Sequence, residues 1–151
     1  MTRLLRPRAS EYVTSDISAV ADVQADITDL PFPDARWDVV VCSHVLEHVV
    51  DDASARRELR RVLSPQGRAI VIVPRRQGVP TDEDASVTDP DERRRRFGQN
   101  DHVRIYGDDL EERLSSAGFT TVEPVSVDDF TEEQVARHRL RAGDAVLICM
   151  T

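Results

Sequence analysis

The sequence predicts an α/β domain built on a mostly parallel sheet, with helices on both faces. Two apolar runs, "WDVVVCS" (37–43) and "GRAIVIVP" (67–74), carry almost nothing polar inside them. That pattern suits strands buried on both faces. Between them, "DDASARRELRRVLSPQG" has Ala55, Leu59, Val62 and Leu63 spaced to share one helix face. Strand, helix and strand joined by tight connections form a βαβ unit, which crosses over right-handed.

The remaining elements follow in order. "EYVTSDI" (11–17) reads as a short strand ending at Asp16, and "ADVQADI" (21–27) as a second, ending at Asp26. Asp51 and Asp52 suit the N-terminus of the central helix, its arginines suit the later turns, and "SPQG" is a stop signal. A long polar stretch occupies 75–101. Within it "DPDERRRRF" predicts a short helix, capped by Asp89 with Pro90 in the first turn. "GDDLEERLSSAGF" is a second helix, with Leu110, Leu114 and Ala117 on one face and Gly118 as its stop. "TTVEPVSV" is a strand whose proline places it near an edge. "TEEQVARHRL" is helical, and "DAVLICM" closes the chain as an apolar strand.

With 151 residues, 40% hydrophobic and 32% charged, the chain predicts a single domain over 1–151 with a real core and an insert at about 75–106. No apolar run approaches the roughly 20 residues of a membrane helix, and the N-terminus lacks the apolar core of a secretory signal. The expected location is the cytoplasm. A net charge of −8 argues against a nucleic-acid backbone as main partner. There is no lysine, which excludes amine chemistry such as a Schiff base. Cys42 and Cys149 end apolar runs and read as buried thiols.

Ligands of open parallel sheets bind outside the carboxyl ends of the strands. Three strands here end in polar residues: Asp16, Asp26 and the pair Ser43 and His44. One carboxylate can accept two ribose hydroxyls, and a second, one strand over, an adenine amino group. Each aspartate taken alone also fits a turn or a cap. Beyond Ser43 comes "HVLEH". His44-x-x-Glu47-His48 formally fits an inverted zinc-hydrolase motif. That chemistry needs both histidines on one helix plus a third ligand. Because His44 follows a strand and no ligand helix is evident, no metal is expected. Glu47 and His48 then read as a solvent-facing turn, an internal hydrogen-bonded pair, or a lining of the substrate pocket. In "NDHVRIYG", His102, Arg104 and Tyr106 alternate and share a face of an extended segment. They could supply a base in His102 and hold an anionic substrate through Arg104 and Tyr106, or only anchor the insert to the body.

"ADITDLPFPDARWDVVVCSHVLEHVVDDASARRELRRVLSPQGRAIVIVP" resembles the central half of a class I S-adenosylmethionine-dependent methyltransferase, of the branch often labelled type 11. "TDEDASVTDPDERRRRFGQNDHVRIYGDDLEERLSSAGF" resembles the insert of one group within that branch. Together the likeness runs over nearly all of Tyr12 to Cys149. It implies a Rossmann-like methyltransferase sheet and S-adenosylmethionine as cofactor. Asp16 would bind the ribose, Asp26 and Ile27 would lie beside the adenine, and Ser43 and His44 would lie near the methionine part and the substrate. His44 and His102 are the candidate catalytic residues; Glu47, His48, Arg104 and Tyr106 are the candidate substrate ligands.

The likeness departs at the front. Such enzymes begin with a central strand and a glycine-rich loop, and nothing from Met1 to Tyr12 can serve as either. Relative to the family the chain is N-terminally truncated. Its sheet would then need a homodimer or another partner chain to complete it. Two functions follow as expectations. One is a methyltransferase acting on a small molecule. The other is a degenerate relative that lost cofactor binding and serves as a binding or regulatory subunit, or does other chemistry in the old pocket.

Overall fold

The computed structural model describes residues 6–126, 129–138 and 144–151. Two short strands, β1 (Ser15–Asp16) and β2 (Val23–Gln24), pair in parallel. They are much shorter than the runs read from the sequence. A short backbone ladder, Val23 N to Thr14 O at 3.0 Å and Ala25 N to Asp16 O at 2.9 Å, pairs them, and Thr14 N and Oγ1 add bonds to Asp22 Oδ2 at 2.9 and 2.8 Å.

The main sheet has four strands in the order β3 (Trp37–Ser43), β4 (Leu63–Pro74), β8 (Asp144–Met150) and β7 (Thr121–Val125). β3 and β4 are parallel, joined by helix α1 (Asp52–Arg61), so the βαβ unit forms as expected. β8 lies antiparallel to both β4 and β7. The described sheet is therefore mixed rather than mostly parallel. The connection from β7 to β8 runs over 126–143 and carries the helix Glu132–His138, yet the two strands are antiparallel neighbours. β7, with its Pro124, is an edge strand as predicted.

α1 begins as its sequence dictates: the Asp51 carboxylate caps it by accepting from Ser54 N at 3.0 Å. "SPQG" proves to be no free turn. The chain passes from α1 directly into β4 at Leu63, and the residues of "SPQG" form an irregularity where the register shifts between Trp37 and Val39.

Register and burial define two unlike faces. On one, Val40, Cys42, Ala69, Val71, Val73, Leu147 and Cys149 pack with Ala55 and Leu59 of α1 and with Leu110 and Leu114 of α3 (Leu110–Ser115). Burial pushes both thiols up to about 12, so they act as small apolar groups. On the other face Val41, Ile70, Ile72, Val146 and Ile148 are only half-buried, and Val39 is 57% exposed. β3 has β4 on one edge and, among the described residues, no strand on the other. The expectation that β3 is buried on both faces is corrected here; among the described residues α1 and α3 both serve the same face.

The insert forms β5 (Asp82–Glu83), α2 (Pro90–Phe97) and β6 (Arg104–Ile105), with β5 and β6 antiparallel. Asp89 caps α2 through Glu92 N at 2.8 Å, and Gly98 ends it at φ 97°. Gly107 lets the insert fold back, since a Cβ there would lie 2.2 Å from the Val79 oxygen. Glu132–His138 form α4; residues 139 and 140 of the predicted last helix lie outside the described residues. No described helix is long and apolar enough to cross a membrane.

Candidate ligand-binding site

Asp16 ends β1 and Asp26 follows β2, so both carboxylates emerge at the carboxyl ends of neighbouring parallel strands. Each closes a small turn on itself. Asp16 Oδ1 accepts from Ser18 N and Oγ at 2.7 and 2.5 Å; Asp26 Oδ1 accepts from Thr28 N and Oγ1 at 2.9 and 2.8 Å. These bonds stabilise the anions and hold both groups below the ordinary carboxylate range. Both aspartates are exposed. In each turn a single oxygen, Oδ1, takes both local bonds.

α1 positions the segment that follows Asp26. Glu58 Oε2 accepts from Leu30 N at 2.8 Å, while Arg61 donates to the carbonyls of Leu30 and Phe32 at 3.0 and 2.7 Å. Ile27 packs against the core. The helix that bridges β3 and β4 thereby fixes the depth of the Asp26 turn.

Ser43 is the last residue of β3 and is half-buried; His44 follows at φ 54°. Left-handed backbone at a non-glycine residue is uncommon and is stabilised here because His44 N still donates to Ile72 O at 2.8 Å. The His44 side chain is 46% exposed. Leu46–His48 then form a single 3-10 turn. Glu47 points inward and is fully buried, whereas His48 is half-buried beside Asp101, with Nδ1 3.4 Å from Oδ2.

The trio His102, Arg104 and Tyr106 does share one face, and that face is buried. The Tyr106 hydroxyl donates to Asp52 Oδ2 at 2.9 Å. Burial and the Asp52 charge drive its ionisation well above the ordinary phenol range. Arg104 donates to Glu83 at 3.0 Å, to the Leu46 and Val50 carbonyls at 2.9 Å each, and also to Val49 O. His102 Nδ1 lies 3.1 Å from Phe97 O. Arg104 and Tyr106 are 3% and 0% exposed, and their donors are engaged by Glu83, three loop carbonyls and Asp52. Their expected substrate role, and that of His102 as a solvent-accessible base, is corrected: the trio anchors the insert to the loop after β3. Sequence reasoning missed Asp52 as the acceptor on which the anchor converges. Its only sequence signal was a second aspartate beside a sufficient cap, Asp51.

A half-open hollow of about 330 Å³ lies on the insert side, lined by Val50, Asp52, Glu83, Ala85, Val103 and Arg104. None of Asp16, Asp26, Ser43 and His44 borders it. No described glycine lies at the ends of β1, β2 or β3. The donors and acceptors present suit an adenosine; a glycine cradle for an amino-acid end is missing among the described residues.

Comparison with known proteins joins these features. Residues 1–71 match a family model described as a methyltransferase domain. A methyltransferase of Archaeoglobus fulgidus, described as SAM-dependent, superposes over 99% of this chain and 80% of its own, with a TM-score of 0.65 at 15% identity. The fold is that of a class I methyltransferase. A second methyltransferase structure, the 1,6-didemethyltoxoflavin-N1-methyltransferase of Burkholderia thailandensis with bound 1,6-didemethyltoxoflavin and S-adenosylhomocysteine, matches 84% of this chain and 48% of its own, at TM-score 0.52 and 21% identity. In sequence, the chain is 43% identical over 68 residues to a probable S-adenosylmethionine-dependent methyltransferase of Mycobacterium tuberculosis. That match spans 45% of this chain and only 25% of the relative.

Proposed function

We propose that the chain is a methyltransferase module that binds S-adenosylmethionine along the carboxyl ends of β1, β2 and β3 and transfers its methyl group to a small molecule. The observation that carries this reading is the pair of ionised, exposed carboxylates, Asp16 and Asp26, at the ends of neighbouring parallel strands. Asp16 would accept the ribose hydroxyls, and Asp26 with Ile27 would flank the adenine. Ser43 and His44 would border the methionine part, with the exposed His44 ring beside the methyl acceptor and His48 at the rim. Bound there, the cofactor supplies an activated methyl group; the residues of this chain orient the two reactants, and orientation is the larger part of such catalysis. The cytoplasm is the location this reading implies.

The edge of β3, which pairs with no strand among the described residues, and the half-exposed second face favour a further strand supplied by a partner, with a homodimer as the simplest form. Light scattering on the purified chain should give the mass of a dimer; a stable, well-folded monomer would count against it. The same edge favours a second reading, in which the chain kept the fold, lost the cofactor and serves as a binding or regulatory subunit. Calorimetry with S-adenosylmethionine and S-adenosylhomocysteine separates the two. Binding that Asp16→Asn and Asp26→Asn each weaken supports the methyltransferase. No detectable heat at millimolar ligand leaves the second reading.

A further inference from the structure

Behind the His44 loop Glu47, His48 and His102 converge, and both Glu47 oxygens and His102 Nε2 are buried without a hydrogen-bond partner. Glu47 is fully buried, and neither of its carboxylate oxygens has a hydrogen-bond partner. His44 Nδ1 stands 3.3 Å from Oε1 but makes no hydrogen bond to it. His102 is 2% exposed, and its Nδ1 faces the Phe97 carbonyl. A carbonyl can only accept, so Nδ1 carries a proton, and Nε2 presents a lone pair whenever the ring holds that one proton alone. That Nε2 is buried and has no partner. The His48 ring stands edge-on to His102, with centroids 4.6 Å apart. One ligating atom from each of Glu47, His48 and His102 lies within 4.8 Å of the other two.

A buried carboxylate without a hydrogen bond is costly, by several kcal/mol, unless a cation joins it; the half-exposed His44 ring, 3.3 Å away, offers one only when protonated. Arg104, the guanidinium packed on this turn, cannot serve, since its donors go to the carbonyls of Leu46, Val49 and Val50 and to Glu83. We propose that Glu47, His48 and His102 form a binding site for a divalent transition-metal ion, of the zinc or ferrous type that two imidazoles and one carboxylate select. A tetrahedral ion with bonds of about 2.0–2.1 Å draws its donors to roughly 3.3 Å from one another, so the side chains close inward on binding. The surroundings fit the role. Phe97 O and Asp101 stand on the second nitrogens of His102 and His48, where outer partners orient a ligating imidazole. Val103 N donates to Glu47 O at 2.9 Å and ties the two ligand-bearing segments together. Three protein ligands leave one position open, and His48, with its side chain 32% exposed, gives access from solvent. The site stands whether or not the chain transfers methyl groups.

The test uses the full chain, stripped with chelator and titrated with Zn2+ by calorimetry and with Co2+ by visible absorption. One ion per chain is expected, with a cobalt d–d band and a Tm that rises with ion concentration. Glu47→Gln and His102→Gln should each weaken binding by more than the roughly 10–100-fold that outer partners alone contribute. Their far-UV circular dichroism should stay that of the parent. In the metal-free chain Glu47→Gln should raise Tm, because it removes an uncompensated buried charge. A lower Tm there would mean that Glu47 is paired with a protonated His102, and the metal site is then wrong. Absence of binding at about 100 μM free ion, about the weakest affinity worth calling a site, also overturns the proposal. So does stoichiometric binding that survives both substitutions. If Glu47→Gln fails to fold, His48→Gln on the half-exposed ligand replaces it in the affinity comparison.

Discussion

Asp16 and Asp52 are both aspartates at the ends of secondary-structure elements, yet they live in opposite surroundings. Asp16 is exposed and bonded to one serine two residues away. Asp52 is 5% exposed and gathers Arg56 of its own helix at 3.4 Å and, from two distant parts of the chain, the Tyr106 hydroxyl with Arg104 at 3.9 Å and Arg113 at 3.8 Å. The first carboxylate serves only a local turn through one oxygen and faces solvent. The second is unavailable because the fold cannot spare it. In this chain, polarity at the strand ends faces solvent and polarity under the insert is structural.

The contrast breaks most sharply at Asp52. Asp52→Ala leaves the Tyr106 hydroxyl without its acceptor and the buried Arg56 without its carboxylate. Loss of one partner of a buried ion pair costs about 3–5 kcal/mol. Urea unfolding should report a fall of that size, with the insert released from the loop after β3. Tyr106→Phe is gentler, because Arg56 remains beside Asp52 Oδ2. One hydrogen bond to a charged group is lost, and about 1.5 kcal/mol is expected.

Between those extremes stands Glu83, which accepts from Arg113 at 2.8 Å and from Arg104 at 3.0 Å on a partly exposed strand. The Arg113 bond, then that from Arg104, holds its carboxyl below the usual 4.5. A carboxyl depressed in the folded state stabilises above its unfolded pKa, and the contribution fades as pH falls through the folded value. Because the pair is partly solvated, the whole contribution is under about 1 kcal/mol. Melting curves of the parent and Glu83→Gln should differ at neutral pH and converge in acid below 4.5. A difference that persists in strong acid would mean the residue acts by packing.

What the sequence made legible follows from the same division. α1, β3, β4 and both inner helices could be read because periodicity and caps are local: Asp51, Asp89 and Gly118 act within a few residues of themselves. The antiparallel β8 was legible as a strand but not in direction, since direction is set by the connection rather than by the run itself. The alternation of His102, Arg104 and Tyr106 correctly gave a shared face. Which way that face points depends on Asp52, fifty residues earlier, and no local pattern encodes it. The convergence of His102 on Glu47 and His48 was hidden for the same reason. The inverted zinc motif drew attention to His44 and His48, whereas the chain brings a residue from the insert to Glu47 instead.

The smallest expected effect on stability is the most informative about function. Asp16→Asn keeps the size of the side chain and an oxygen that can still accept from Ser18. At an exposed position such a change stays within about 0.5 kcal/mol. Its effect on ligand binding should be much larger, because an amide replaces one ribose acceptor with a donor and removes the charge. A variant with an unchanged urea midpoint and weakened S-adenosylhomocysteine binding would place Asp16 in a binding role with no structural share. A midpoint that falls together with affinity would place the Asp16 turn among the fold's own supports, and the contrast with Asp52 would then be one of degree.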